Sequence, residues 1–78
     1  MTSEQFNVIM PIISSDIVKT ISARKNISES ESISLLYSSE LYSMLEREDT
    51  KLWHYSTPML YSMLEEEWNT GKITYPDV

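Results

Sequence analysis

The chain has 78 residues, 41% of them hydrophobic, with 12 acidic against 6 basic side chains for a formal net charge of −6, and it contains no cysteine. That length suits one domain around one small core, in a composition that folds. The charge opposes a phosphate backbone, and the missing thiols exclude a disulfide framework, a thiolate zinc site and a cysteine nucleophile.

At the N-terminal end, Phe6, Met10, Ile13, Ile17 and Ile21 recur at helical spacing with Ile9 and Val18 beside them, which predicts a long first helix. Pro11 removes the hydrogen bond to the Asn7 carbonyl, so the helix either kinks there or becomes regular from about Met10. Thr2 and Ser3 are available as caps for the longer version, and Asn26 suits a left-handed terminator after Lys25. Lys19, Arg24 and Lys25 near that end read as complements to the helix C-terminus. The longest unbroken apolar run, residues 8–13, is six residues long, against the roughly 20 that a membrane span needs. The first basic residue is Lys19, so no positive leader region precedes an apolar stretch. The expectation is a cytoplasmic protein that does not enter a membrane.

Ser28 followed by Glu31 reads as a capping box opening a second helix with Ile33, Leu36 and Tyr37 on its buried face. Ser38 and Ser39 offer a break and a new N-cap before Glu40. A single stripe of Ile33, Tyr37, Leu41 and Met44 also fits one continuous rod, and the pattern leaves both open.

The segment LYSMLE occurs twice, at residues 41–46 and again at 60–65. In each copy two Leu and a Met share one helical face, which predicts two short amphipathic helices with acidic residues following. Tyr42 and Tyr61 take equivalent places about 100° from the leading leucine, near the edge of the core. Such tyrosines either pack their rings and expose their hydroxyls or meet a partner. Between the copies, residues 48–50 read as a turn and 51–55 as an extended segment from their aromatic content. Ser56, Thr57 and Pro58 supply a cap and a proline for the last helix, which buries Leu60, Leu64 and Trp68 and ends at Gly71.

Chemistry is sparse. His54, the one histidine, sits between Trp53 and Tyr55 without a nucleophile elbow or glycine-rich oxyanion loop, so it reads as packing rather than catalysis. One glycine cannot build a phosphate-cradling loop. Glu65, Glu66 and Glu67 diverge around a helix and cannot converge on one cation unaided. No catalytic residue, metal site or cofactor is expected. Five Tyr, two Trp and five Met are instead a generous supply of the residue types found at interface centres.

Residues 35–67, with Tyr37, Ser39, Leu41, Tyr42, Leu45, Leu52, Trp53, His54 and Ser56 as the matching positions, resemble a family of short bacterial helical proteins described as a domain of unknown function. Its members sit beside toxin-like genes, including ADP-ribosyltransferase-like ones, which implies an antitoxin or accessory role.

The sequence therefore predicts an all-α fold of three to four short helices, with a minor two-stranded β-ribbon pairing residues 52–55 with 73–75. The expected role is a small acidic protein–protein interaction module, antitoxin-like or inhibitory toward a toxin or basic enzyme. A nucleic-acid-mimicking inhibitor and a helix-turn-helix regulator are the alternatives. Candidate partner-binding residues are Tyr42, Trp53, His54, Tyr55, Tyr61, Glu65 and Glu66. A chain this short without staples also favours a homodimer.

Overall fold

A computed structural model describes residues 2–73. The chain forms four α-helices: α1 (Ser3–Lys25), α2 (Glu29–Tyr37), α3 (Glu40–Leu45) and α4 (Thr57–Thr70), with two short 3-10 turns, Glu48–Thr50 and Leu52–His54, between α3 and α4. No strand occurs among the described residues.

α1 runs unbroken through Pro11. Its start is held by a reciprocal pair: the Gln5 N–H donates to Thr2 Oγ1 at 3.2 Å and the Thr2 N–H donates to Gln5 Oε1 at 3.0 Å. Pro11 is exposed, as is Asn7, so the carbonyl that loses its donor opens to water rather than to the core. Asn26 ends the helix in the left-handed region at φ 55°, where a short polar side chain carries little penalty. Phe6, Ile13, Ile17, Val18 and Ile21 are buried.

By length and composition α1 qualifies as a membrane-crossing helix, with a mean hydropathy of 1.2 over an 18-residue window that is 39% buried. Serines interrupt its apolar run after Ile13 without lowering the average far, so the longest unbroken run understates the helix's hydropathy. In the fold, α1 lies along the core and packs against both α2 and α4. Its 23 residues are about 34 Å long, matching the longest 35 Å dimension of the molecule.

α2 and α3 are separate pieces. The Ser38 hydroxyl donates to the Ser34 carbonyl at 2.8 Å, and the Ser39 hydroxyl donates to the Leu36 carbonyl while accepting the Tyr42 N–H at 3.1 Å. The Ser39 hydroxyl thus takes over backbone groups that a continuous helix would pair, whereas the Ser38 hydroxyl adds a second donor to a Ser34 carbonyl that keeps the Ser38 N–H at 3.1 Å. At the start of α2, Ser28 Oγ accepts the Glu31 N–H at 3.1 Å and donates to Glu31 Oε1 at 3.3 Å, a variant of the predicted capping box. The buried face of α2 is Ser32 and Leu36, not the expected Ile33 and Tyr37. Ser32 enters the core because its hydroxyl donates to the Ser28 carbonyl at 2.8 Å, so no polar atom is stranded there.

The predicted β-ribbon does not form in its described arm. Leu52–His54 is a 3-10 turn, with Lys51 before it in the left-handed region at φ 58°. Trp53 Nε1–H donates to the Glu48 carbonyl at 3.0 Å and the Tyr55 N–H to the Leu52 carbonyl at 3.1 Å. These local bonds fold the aromatic stretch onto itself and drive Leu52 into the core, overriding its β-propensity. Residues 74 and 75 of the proposed partner arm lie outside the described residues.

α4 opens as predicted, with Ser56 Oγ accepting the Met59 N–H at 3.3 Å and proline in the first turn, and closes at Gly71, φ 78°. It buries Leu60, Tyr61, Met63 and Leu64, with Trp68 half-buried against the core. α4 is tied to α3 by a carboxylate: Glu67 Oε2 accepts the Glu40 N–H at 2.8 Å and Oε1 accepts the Leu41 N–H at 2.9 Å. A side chain 26 and 27 positions away thereby satisfies donors that a helix start leaves unpaired, and its negative charge suits that end of the dipole.

Two stability outcomes follow. Glu67→Ala is expected to lose about 1–2 kcal/mol in a urea titration, the size of a lost charged cap, with Glu67→Gln keeping part of it. Lys51→Gly is expected to gain about 0.5–1 kcal/mol, because glycine relieves the left-handed strain at some entropic cost; an unchanged or lower midpoint would show that Lys51 is not strained.

Candidate functional site

The side chains displaced from the core of α2 meet α1 in an open groove of about 410 Å³. Met10, Pro11 and Val18 of α1, Ile33 and Tyr37 of α2, and Tyr42 of α3 form much of its wall. The Tyr37 and Tyr42 rings stack at 4.6 Å with 23° between their planes. Lys19 and Glu29 are the charged residues of the lining, so the groove is locally neutral on an acidic protein. Tyr37 is 55% exposed and Ile33 37%. On the outer side of α1 the apolar surface continues through Val8, 68% exposed, and Ile12, 57% exposed. Val8, Pro11 and Ile12 share one helical face by their spacing. Large apolar side chains exposed in number on one helix pair point to association.

Tyr42 sits half-buried at the inner side of this groove. Burial pushes its phenol above the ordinary value of 10.0; the Tyr37 phenol and the Glu46 carboxylate push the same way, and a hydrogen bond with the Ser14 hydroxyl pulls back. The equivalent Tyr61 behaves differently. It is only 4% exposed, enclosed between α1 and α4, with the Arg24 guanidinium 5.1 Å from its ring centroid and the Trp68 ring edge-on at 6.2 Å. Burial also raises the Tyr61 phenol, helped by Glu65 and opposed by Arg24. Lys25 Nζ lies 4.5 Å over the Trp68 ring. Two of the three basic residues read as helix-end complements therefore also clamp α4 aromatics, a contact worth about 0.5–1 kcal/mol at exposed sites.

Trp53, His54 and Tyr55 stay together in the turn before α4. His54 is exposed and its Nδ1 meets the Lys51 carbonyl, which can only accept, so Nδ1 carries a proton. Its ring lies 5.9 Å from that of Trp53 and 4.4 Å from that of Tyr55. Glu65 and Glu66 are exposed on α4, whereas Glu67 is committed to α3. Among the described residues no three His, Cys, Asp or Glu side chains gather as metal ligands.

The sequence-predicted residues thus fall in separate places: Tyr42 in the α1–α2 groove, the Trp53 to Tyr55 aromatics in the turn, Glu65 and Glu66 on open helix surface, and Tyr61 inside the fold. Sequence reasoning missed Val8, Ile12, Ile33 and Tyr37 as surface. One signal was present: α1 carries more apolar residues than a single buried stripe needs, and Val8 and Ile12 fall outside that stripe.

A phenol whose pKa is raised by folding favours the neutral form in the native state. Its contribution to stability is fully present below the ordinary value near 10 and is lost as pH rises through the raised folded value. Phenolate absorbance is therefore expected to include a component titrating above 10, and stability to fall in that alkaline range. Tyr42→Phe should flatten part of this fall; an identical alkaline profile in the variant would remove Tyr42 as a cause.

No protein-family model, curated protein or solved structure matches the chain.

Proposed function

We propose that this chain is a small acidic protein–protein interaction module, antitoxin-like or inhibitory toward a basic protein partner, and that it works in the cytoplasm. The observation that carries the reading is the exposed apolar surface of α1 and α2: Ile33 and Tyr37 in the groove with the stacked tyrosines, and Val8 and Ile12 on the outer side of α1. Large apolar and aromatic side chains held in a rigid helical frame lose little conformational freedom on docking, so they make effective anchors. The net charge of −6 steers the module toward basic surfaces and disfavours nucleic acid. Inhibition would follow from occlusion: the docked module covers the partner's working surface and needs no chemistry of its own.

The test is an affinity capture of the tagged protein from its native lysate, run in parallel with Ile12→Asp and Tyr37→Ser. The expected outcome is one basic protein at fixed stoichiometry on the wild type, reduced about tenfold on either variant, as loss of about 1.4 kcal/mol per anchor requires. Equal capture by all three proteins, or no saturable partner at low salt, would overturn the reading.

A further inference from the structure

The break between α2 and α3 does more than end a helix. Tyr37 closes α2 and Tyr42 lies in α3, five positions on. In a continuous helix five positions turn about 140° around the axis, so the two side chains would point apart. The break at Ser38 and Ser39 instead lets the rings stack at 4.6 Å with 23° between their planes. The phenol groups lie at the same end of the stack, where the Tyr42 hydroxyl has both the Tyr37 phenol and the Ser14 hydroxyl of α1 as hydrogen-bonding neighbours. The ortho carbons beside each hydroxyl are brought alongside one another by the same overlap. Tyr37 is 55% exposed on the open groove, within reach of an oxidant from solvent, whereas Tyr42 is half-buried and shielded from other chains. The remaining tyrosines of the described chain are placed differently: Tyr55 lies against His54 and Tyr61 against Trp68.

We infer that Tyr37 and Tyr42 form a site of intramolecular dityrosine cross-linking, in which hydrogen peroxide, acting through a one-electron oxidant of the haem-peroxidase class, joins the two rings by a carbon–carbon bond. Each phenol gives up one hydrogen atom, electron and proton together. The peroxide takes both hydrogens, and its O–O bond breaks to give two waters. The two phenoxyl radicals then couple ortho carbon to ortho carbon. Each ring moves its displaced ortho hydrogen onto oxygen to restore the aromatic phenol, so the protein loses two hydrogens in all. Contact of the rings before oxidation makes the coupling an event within one chain. A radical on an isolated exposed tyrosine would have to wait for an encounter with another chain. The product is a covalent tie between α2 and α3, across the serine break and along one wall of the groove, in a chain with no cysteine to supply a disulfide. Nothing in this chemistry depends on what the groove binds.

The experiment treats dilute full-length protein with a haem peroxidase and hydrogen peroxide, then maps it with trypsin. Cleavage after Lys25 and Arg47 leaves Tyr37 and Tyr42 together in the peptide of residues 26–47, and cleavage after Lys51 and Lys72 leaves Tyr55 and Tyr61 together in that of residues 52–72. The second pair is six positions apart, nearly the same spacing, but its rings face His54 and Trp68. It therefore reports what closeness in sequence achieves without the stack. The expected result is dityrosine fluorescence in monomer-sized protein, with the loss of two hydrogens from residues 26–47 at least about tenfold more frequent than from residues 52–72, as contact before reaction requires. Tyr37→Phe and Tyr42→Phe should each remove that product with helical circular dichroism unchanged, and Tyr61→Phe should keep it. Equal losses from the two peptides, dityrosine confined to cross-linked chain dimers, or no dityrosine at all would overturn the site. The comparison of the two peptides is made within the wild-type protein and needs no variant to fold.

Discussion

The grip of the Glu67 carboxylate on the first N–H groups of α3 is the interaction through which the rest of the fold holds together. α3 has six residues, too few to persist as a helix by its own hydrogen bonds. It exists because Ser39 caps it from its own side and Glu67 caps it from α4, both at the end where the backbone dipole is positive. Once α3 is fixed, Leu41 and Leu45 enter the core. The same carboxylate sets the register of α4, so that Leu60 and Leu64 meet those leucines within one hydrophobic cluster. Register in turn decides which aromatics of α4 reach α1, where Arg24 and Lys25 lie over Tyr61 and Trp68. A cap between distant segments here stands in for the staples that a short chain without cysteine lacks.

The second organising feature is the serine chemistry around α2. Ser28, Ser32, Ser38 and Ser39 each bond a nearby backbone carbonyl or N–H, and together they start the helix, let a hydroxyl into the core and stop the helix before it would run on into α3. The outcome is a short helix rolled so that its smaller face is inward. Ile33 and Tyr37 are turned out as a consequence, which creates the groove against α1. A surface of that composition is a cost to an isolated soluble chain and a benefit to one that associates. That is why the functional reading centres on the α1–α2 face rather than on the aromatic turn, where Trp53 and His54 are occupied in closing backbone bonds.

Most of the fold was legible because its signals are local. The Thr2, Ser28, Ser39 and Ser56 caps, the Asn26 and Gly71 terminators and the leucine spacings of α3 and α4 each state a helix boundary or a buried face within a few residues. The interaction surface was less legible. Tyr42 and Tyr61 occupy the same place in two identical hexapeptides, yet one lines a groove and the other is enclosed beneath Arg24, because burial depends on what packs opposite. The aromatic turn misled for a related reason: β-propensity reflects a fit to a half-buried pleated surface, and no neighbouring strand offers one among the described residues.

By itself, then, the sequence determined the helical class, the α2 and α4 starts, the Asn26 and Gly71 ends and most core leucines, while it left the start of α1 and the break between α2 and α3 open; hydrogen-bond caps and apolar periodicity act over one or two turns of chain. Tertiary structure alone decided that Glu67 would reach back across 26 residues to α3, that α2 would bury Ser32 in place of Ile33, and that α1 would show a second apolar face to solvent. Those outcomes turn on the relative rotation of packed helices, and rotation is chosen by the joint fit of every side chain in the core, which no single segment encodes.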